Sequence, residues 1–247
     1  MVRAFDSHSK GHRFESCRIH RMKNKKLLII LVAYGLVLAV APYSVYKFSH
    51  DLNQIAPTLL FKLSFLLKTF ALMAFPALAF EIFMGSNEHW LSEKSGKQVE
   101  NFHHWHGVFT YFLIFAHTFL LLVMNYVSKR TFDPFRVYTD FCLLCEARRD
   151  LFSTFGKFAF WLISLGVVAA IFRKDVSFKT NWRLLHTMNY LAFIFVAVHA
   201  AFIGSNTLNS PYVFVYIAIC LLFLYSLLRI ILIRHRKNTS IIRSFPS

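Results

Sequence analysis

Apolar residues run along this chain in stretches of about 20, separated by shorter segments that hold most of the charge. At 1.5 Å per residue, a helix of that length crosses about 30 Å, the hydrocarbon thickness of a bilayer. Six windows qualify: 27–46, 57–84, 105–127, 155–172, 185–203 and 211–233. The pattern predicts an all-α polytopic membrane bundle of six transmembrane helices at 22–237, followed by a short tail at 238–247. The second window is long and carries Lys62 and Lys68 near its start. Either it tilts, or its first turns lie in the interface with the lysine stems buried and their amines in water. Pro76 has apolar residues on both sides, which predicts a kink rather than a stop.

Composition agrees with a membrane protein. Of 247 residues 56% are apolar and 29 are Phe, while 8 Gly and 6 Pro exclude collagen-like and linker-rich chains. The excess of 28 Lys plus Arg over 12 Asp plus Glu gives a net charge of +16. That excess would point to nucleic acid in a soluble chain, but here it tracks the loops. Lys23, Lys25, Lys26, Lys94, Lys97, Arg173, Lys174, Lys179, Arg183, Arg234, Arg236, Lys237 and Arg243 fall on one side of a six-span arrangement. Lys47, Lys129, Arg130, Arg136, Arg148 and Arg149 fall on the other, and the segment 204–210 has no charge. The positive-inside rule then predicts that both termini are cytoplasmic. No nucleic-acid partner is expected, because no run interleaves basic and aromatic residues as a single-strand groove does.

Residues 1–21 are polar, basic and unlike the rest of the chain, with no apolar core that would make them a signal peptide. The segment resembles the conceptual translation of a transfer-RNA gene. A mis-called upstream extension ahead of a start at Met22 is expected, with a disordered basic tail as the other reading. Either way His8, His12, Cys17 and His20 stay outside the chemistry.

Ionisable residues inside a membrane are costly, so each marks a candidate function. The third window opens with His103, His104 and His106 and carries His117 deeper; the fifth opens with His186 and carries His199 deeper. His103 and His117 are 14 residues apart, a rise of about 21 Å, and His186 and His199 are 13 apart, about 19 Å. Two such helices side by side present two imidazole pairs at two depths, and a six-coordinate b-type haem takes one neutral imidazole nitrogen on each side of its iron. Fourteen steps of about 100° return to within about 40° of one face, whereas thirteen leave His186 and His199 about 140° apart. The fifth helix must therefore tilt, bend or contain an irregular turn, or His199 is not a ligand.

His103 followed by Gly107 and His117, then Trp182, Arg183, His186 and His199 (HxxxG with His at +14, WRxxH with His at +13), resembles the ferric reductase-like transmembrane domain. That family includes ferric reductases, NADPH oxidases and bacterial haem subunits of sulfoxide reductase systems, and the likeness covers 61–236. It implies two b-type haems. His103 and His186 would ligate the one on the cytoplasmic side, and His117 and His199 the outer one. Gly107 favours His103 over the alternative, His104, because a glycine there lets a flat macrocycle approach the backbone. Larger family members carry flavin and nicotinamide domains, whereas these 247 residues contain no G-x-G-x-x-G. The resemblance thus implies an oxidoreductase component without its own flavin domain. It would be fed by a cytoplasmic flavoprotein or other donor, in the lipid bilayer of a bacterial inner membrane.

Other residues admit plainer readings. Arg183 either meets haem propionates through its forked guanidinium or is an ordinary positive-inside arginine. Trp182 reads as an interface anchor and Phe193, midway between His186 and His199, as packing. Cys142 and Cys145 form a C-x-x-C that suits a local disulfide or two thiols better than a redox motif, and Cys220 reads as packing. The expected function is transmembrane electron transfer to an outer acceptor, with exit near 128–154 and 204–210. The alternatives are a haem subunit serving a periplasmic acceptor protein and a permease whose histidines bind a metal or small solute.

Overall fold

A computed structural model describes residues 25–52, 58–95, 97–173 and 181–243. The expected extension at 1–21 and the loop charges Lys23, Lys174 and Lys179 lie outside these residues. Nine helices are present among them, with no strand: α1 (Lys25–Leu52), α2 (Leu59–Ser86), α3 (Glu88–Ser95), α4 (Lys97–Lys129), α5 (Pro134–Tyr138), α6 (Arg148–Ile171), α7 (Trp182–Thr187), α8 (Asn189–Ile203) and α9 (Tyr212–Arg243). Six segments are long and apolar enough to cross a membrane: Leu28–Ser49, Leu59–Ser86, Gln98–Lys129, Arg148–Ile171, Trp182–Ile203 and Tyr212–Ile233. The protein is an all-helical, multi-pass membrane protein.

The chain divides into two units, Met1–Gly35 and Leu36–Ser247. The first contributes the opening turns of α1; the second holds the rest of α1 and all later helices. Within it α2 is the most enclosed span, packed against α4 and α9 and touching α8, while α6 packs against α7 and α8. The core between α2, α8 and α9 is aromatic. Phe75 stacks on Phe193 at 5.1 Å and on Tyr216 at 5.2 Å, and Phe193 stacks on Phe223 at 4.3 Å. Phe193 is therefore a core residue on the α2 and α9 side. Cys220 lines the same cluster. Outward-facing Trp105, Phe112, Phe202, Phe214 and Leu221 leave apolar surface that water would penalise and acyl chains satisfy.

Local chemistry sets the helix ends. The Thr58 side chain accepts from the Phe61 amide to start α2, and Asp133 caps α5 ahead of Pro134. At the end of α4, Arg130 takes φ 56°, the left-handed capping conformation. Helix α2 runs unbroken through Pro76, which is fully buried. Lys62 is exposed, and Lys68 Nζ lies 6.0 Å from the centre of the Phe48 ring.

Several boundaries differ from the hydropathy windows. Helix α4 starts at Lys97 and α9 continues to Arg243, into the expected tail, because polar residues end an apolar window without ending the helix. The fifth span is two helices, and α3 and α5 are additional. Between α4 and α6 the segment after α5 is fastened to α6. Thr154 Oγ1 accepts from the Cys142 amide at 3.0 Å, Trp161 Nε1 donates to the Tyr138 carbonyl at 2.8 Å, and Cys142 is disulfide-bonded to Cys145.

Tyr212 joins α9 to α2. It is fully buried, and its hydroxyl donates to the Leu72 carbonyl at 2.5 Å. Tyr212→Phe is expected to cost about 1 kcal/mol, the net worth of one such bond, read as a lower Tm in detergent with helicity unchanged.

Candidate functional site

The site begins with a carboxylate in an otherwise apolar helix. Glu81 lies one turn before the end of α2, and among the described residues its two oxygens meet two imidazoles of α4. Its Oε2 is 2.6 Å from His103 Nδ1, an ion-pair contact, and its Oε1 accepts from His106 Nδ1. His106 is buried (6% exposed) and Glu81 nearly so (13%). Positions 103, 106 and 110 share the inner face of α4, as three- and four-residue steps require. Thr110 is buried there with its hydroxyl unpaired. His104 is exposed and faces Glu100, 3.8 Å away on its own helix. Of the three clustered histidines, His103 combines the carboxylate with a ring contact to the fifth span.

That contact is with His186 of α7. The two rings are nearly perpendicular, at 87°, with centroids 6.3 Å apart. His186 Nδ1 is buried without a hydrogen-bond partner. At the same end Arg173, just after α6, approaches Glu100 at 3.5 Å, joining this end of α6 to the start of α4.

About 21 Å along the helices, at the rise of 1.5 Å per residue, lie His117 and His199. His117 Nδ1 donates to the Leu67 carbonyl of α2 at 3.0 Å, and His199 Nδ1 donates to the Phe152 carbonyl of α6 at 2.9 Å. Each bond fixes the ring and leaves Nε2 as its lone-pair nitrogen. Leu67 and Glu81 are 14 residues apart on α2, as His103 and His117 are on α4, so the antiparallel helices match their partners level for level.

An irregular turn, one of the alternatives that the 13-residue spacing left open, lies between His186 and His199. Helix α7 ends at Thr187 and α8 begins at Asn189, with the Met188 amide donating to the Leu185 carbonyl at 3.2 Å in a three-residue turn. Tightening about three residues from 100° to 120° each adds about 60° of rotation, reducing the 140° offset to about 80°.

Two glycines of α6 make room for this span. A Cβ on Gly156 would fall 2.7 Å from His199 Nδ1 and 2.8 Å from its Cε1; one on Gly166 would fall 2.9 Å from Asn189 Oδ1. Gly107, by contrast, faces Glu81, where a Cβ would be in ordinary contact at 3.6 Å. The expected macrocycle cradle at Gly107 is therefore occupied by a carboxylate. Arg183 is exposed and lies over the Trp182 ring at 5.6 Å, and Trp182 neighbours His186 at 6.2 Å.

No family model, no curated protein and no solved structure matches the chain. The histidine geometry therefore carries the functional reading. Among the described residues no group of three or more His, Cys, Asp or Glu could hold a metal ion. A b-type haem asks less, because its porphyrin supplies four nitrogens and the protein two. Two imidazoles bound to one iron, with metal–nitrogen bonds of about 2 Å, have centroids about 6 Å apart. The 6.3 Å spacing of His103 and His186 fits that group. Helix α4 packs on α2, and α8 on α6, with little direct contact between α4 and α8. Helices sharing an inserted group stand further apart than the 8–10 Å of direct packing.

The sequence reading passed over Glu81, Gly156, Gly166 and Asn189. Glu81 had a usable signal, as the one acid inside the second apolar window. The glycines had none, since the atoms that need their space belong to residues more than 20 positions away.

Proposed function

We propose that this protein is a di-haem b-type electron-transfer component resembling the ferric reductase-like membrane domain. It would take electrons from a separate cytoplasmic flavoprotein or similar donor and deliver them to an acceptor on the outer side of a bacterial inner membrane. The observation that carries the reading is the 6.3 Å spacing of His103 and His186; deeper in the same spans lie His117 and His199, whose Nδ1 atoms are already engaged by backbone carbonyls. When bound, haem supplies a one-electron carrier at each level.

The chain's own residues hold and insulate. Glu81 and the Leu67 and Phe152 carbonyls orient the rings, and the α2, α8 and α9 aromatics fill the interior and exclude water. Arg183, at the head of α7, offers a guanidinium for a propionate once released from Trp182. By the positive-inside rule both termini would be cytoplasmic, which would put His103 and His186 on the donor side.

The test is a reduced-minus-oxidised spectrum of the full chain in detergent, with haem quantified per protein. Two b-type haems per chain are expected. Protein expressed with ample haem that lacks a Soret band overturns the reading and favours a permease. Reduction of a ferric chelate by flavin-reduced protein identifies a direct reductase; oxidation only by an added periplasmic protein identifies a subunit of a larger system.

A further inference from the structure

Resting on the proposed di-haem reading, we infer that Glu81 sets the order of the two potentials and hence the direction of electron flow. Of the four histidines, one has a carboxylate at Nδ1. His103 Nδ1 lies 2.6 Å from Glu81 Oε2, a charge contact out of hydrogen-bond alignment, whereas His117 and His199 donate to neutral backbone carbonyls. A carboxylate behind a ligating imidazole makes the ligand more electron-rich and places negative charge near the metal. Both effects favour the oxidised, more positive iron, so the centre at His103 and His186 has the more negative potential. An electron arriving there moves downhill toward His117 and His199.

The surroundings preserve this asymmetry. His106 holds the second carboxylate oxygen, which fixes the plane of Glu81 against His103. At the same end Arg173 and Glu100 approach each other at 3.5 Å and partly offset one another, and Glu88 at the start of α3 adds charge of the same sign as Glu81. Glu81 is thus a positioning residue that acts through His103.

The experiment is potentiometric titration of the full haem-loaded chain, followed by visible and low-temperature EPR spectra. In Glu81→Gln the more negative potential should rise by a tenfold change in the oxidised-to-reduced ratio, about 59 mV for a one-electron couple, with the other unmoved. Glu81→Asp, which keeps the charge, should lie nearer the wild type. Two haems with both potentials and EPR signals unchanged in Glu81→Gln overturn the inference. Should Glu81→Gln fail to assemble, His117→Ala decides with Glu81 intact, because the haem it retains must show the more negative wild-type potential. Retention of the more positive one overturns the inference. Wild-type chain without haem defeats the parent reading at the first spectrum, before any potential is measured.

Discussion

His186→Ala is expected to bind one haem where the wild type binds two, and His117→Ala to lose the other. The two levels are about 20 Å apart along the helices at 1.5 Å per residue, with separate partners. His103 and His186 meet at one level, and His117 and His199 rest on α2 and α6 at the other. An alanine leaves its iron with one axial imidazole while the distant pair keeps its geometry. Haem per protein should fall from two to one and the Soret amplitude by about half, since bis-imidazole ligation needs both rings. Each variant should lose a different centre, which the reduced spectra and potentials distinguish. His104→Ala is the control: that ring is exposed beside Glu100, and both haems should remain. Unchanged stoichiometry in both His117→Ala and His186→Ala rejects the ligand assignment.

Gly156→Val is expected to abolish the His199 level specifically. Its Cβ would lie within 2.8 Å of two atoms of the imidazole and 3.1 Å from a third, and the ring is tied to the Phe152 carbonyl one turn away. The ring cannot yield without breaking that bond, and α6 cannot retreat without unpacking from α8. Overpacking of this kind costs about 1–3 kcal/mol, and the same displacement turns Nε2 away from its partner. One haem lost with a lowered Tm is the expected result. Gly85→Ala is the companion, because a Cβ there meets nothing within 4 Å; it should match the wild type in both respects. A Gly156→Val protein with two haems and an unaltered spectrum would show that His199 has room to move and that the glycine is incidental.

Much of this protein was legible before any coordinates. Hydropathy placed six spans, since apolar run length is set by bilayer thickness and not by neighbours in the fold. The histidine spacing left a tilt, a bend, an irregular turn or a non-ligating His199 open for the fifth span, and the chain has an irregular turn at Met188. Other features were partly legible. Three clustered histidines could not be sorted by spacing, because each falls within reach of some inner face; the helix's rotation against α2 turns His103 and His106 to Glu81 and leaves His104 beside Glu100. Gly107 was expected to admit a macrocycle and instead faces Glu81. Phe193 was ambiguous among so many phenylalanines until α2 and α9 closed around it.

What the sequence determined by itself is the all-helical, membrane-crossing class, the approximate spans and the levels of the four histidines. These come from the rise of a helix and the cost of burying polar groups in hydrocarbon, both local quantities. Only the tertiary structure brought Glu81 against His103 and His106, carbonyls from α2 and α6 against His117 and His199, and glycines of α6 under the fifth span. Those contacts join residues far apart in the chain, and their geometry depends on how each helix rotates against its neighbours. Side-chain packing sets that rotation, and hydropathy along a single strand of sequence does not contain it.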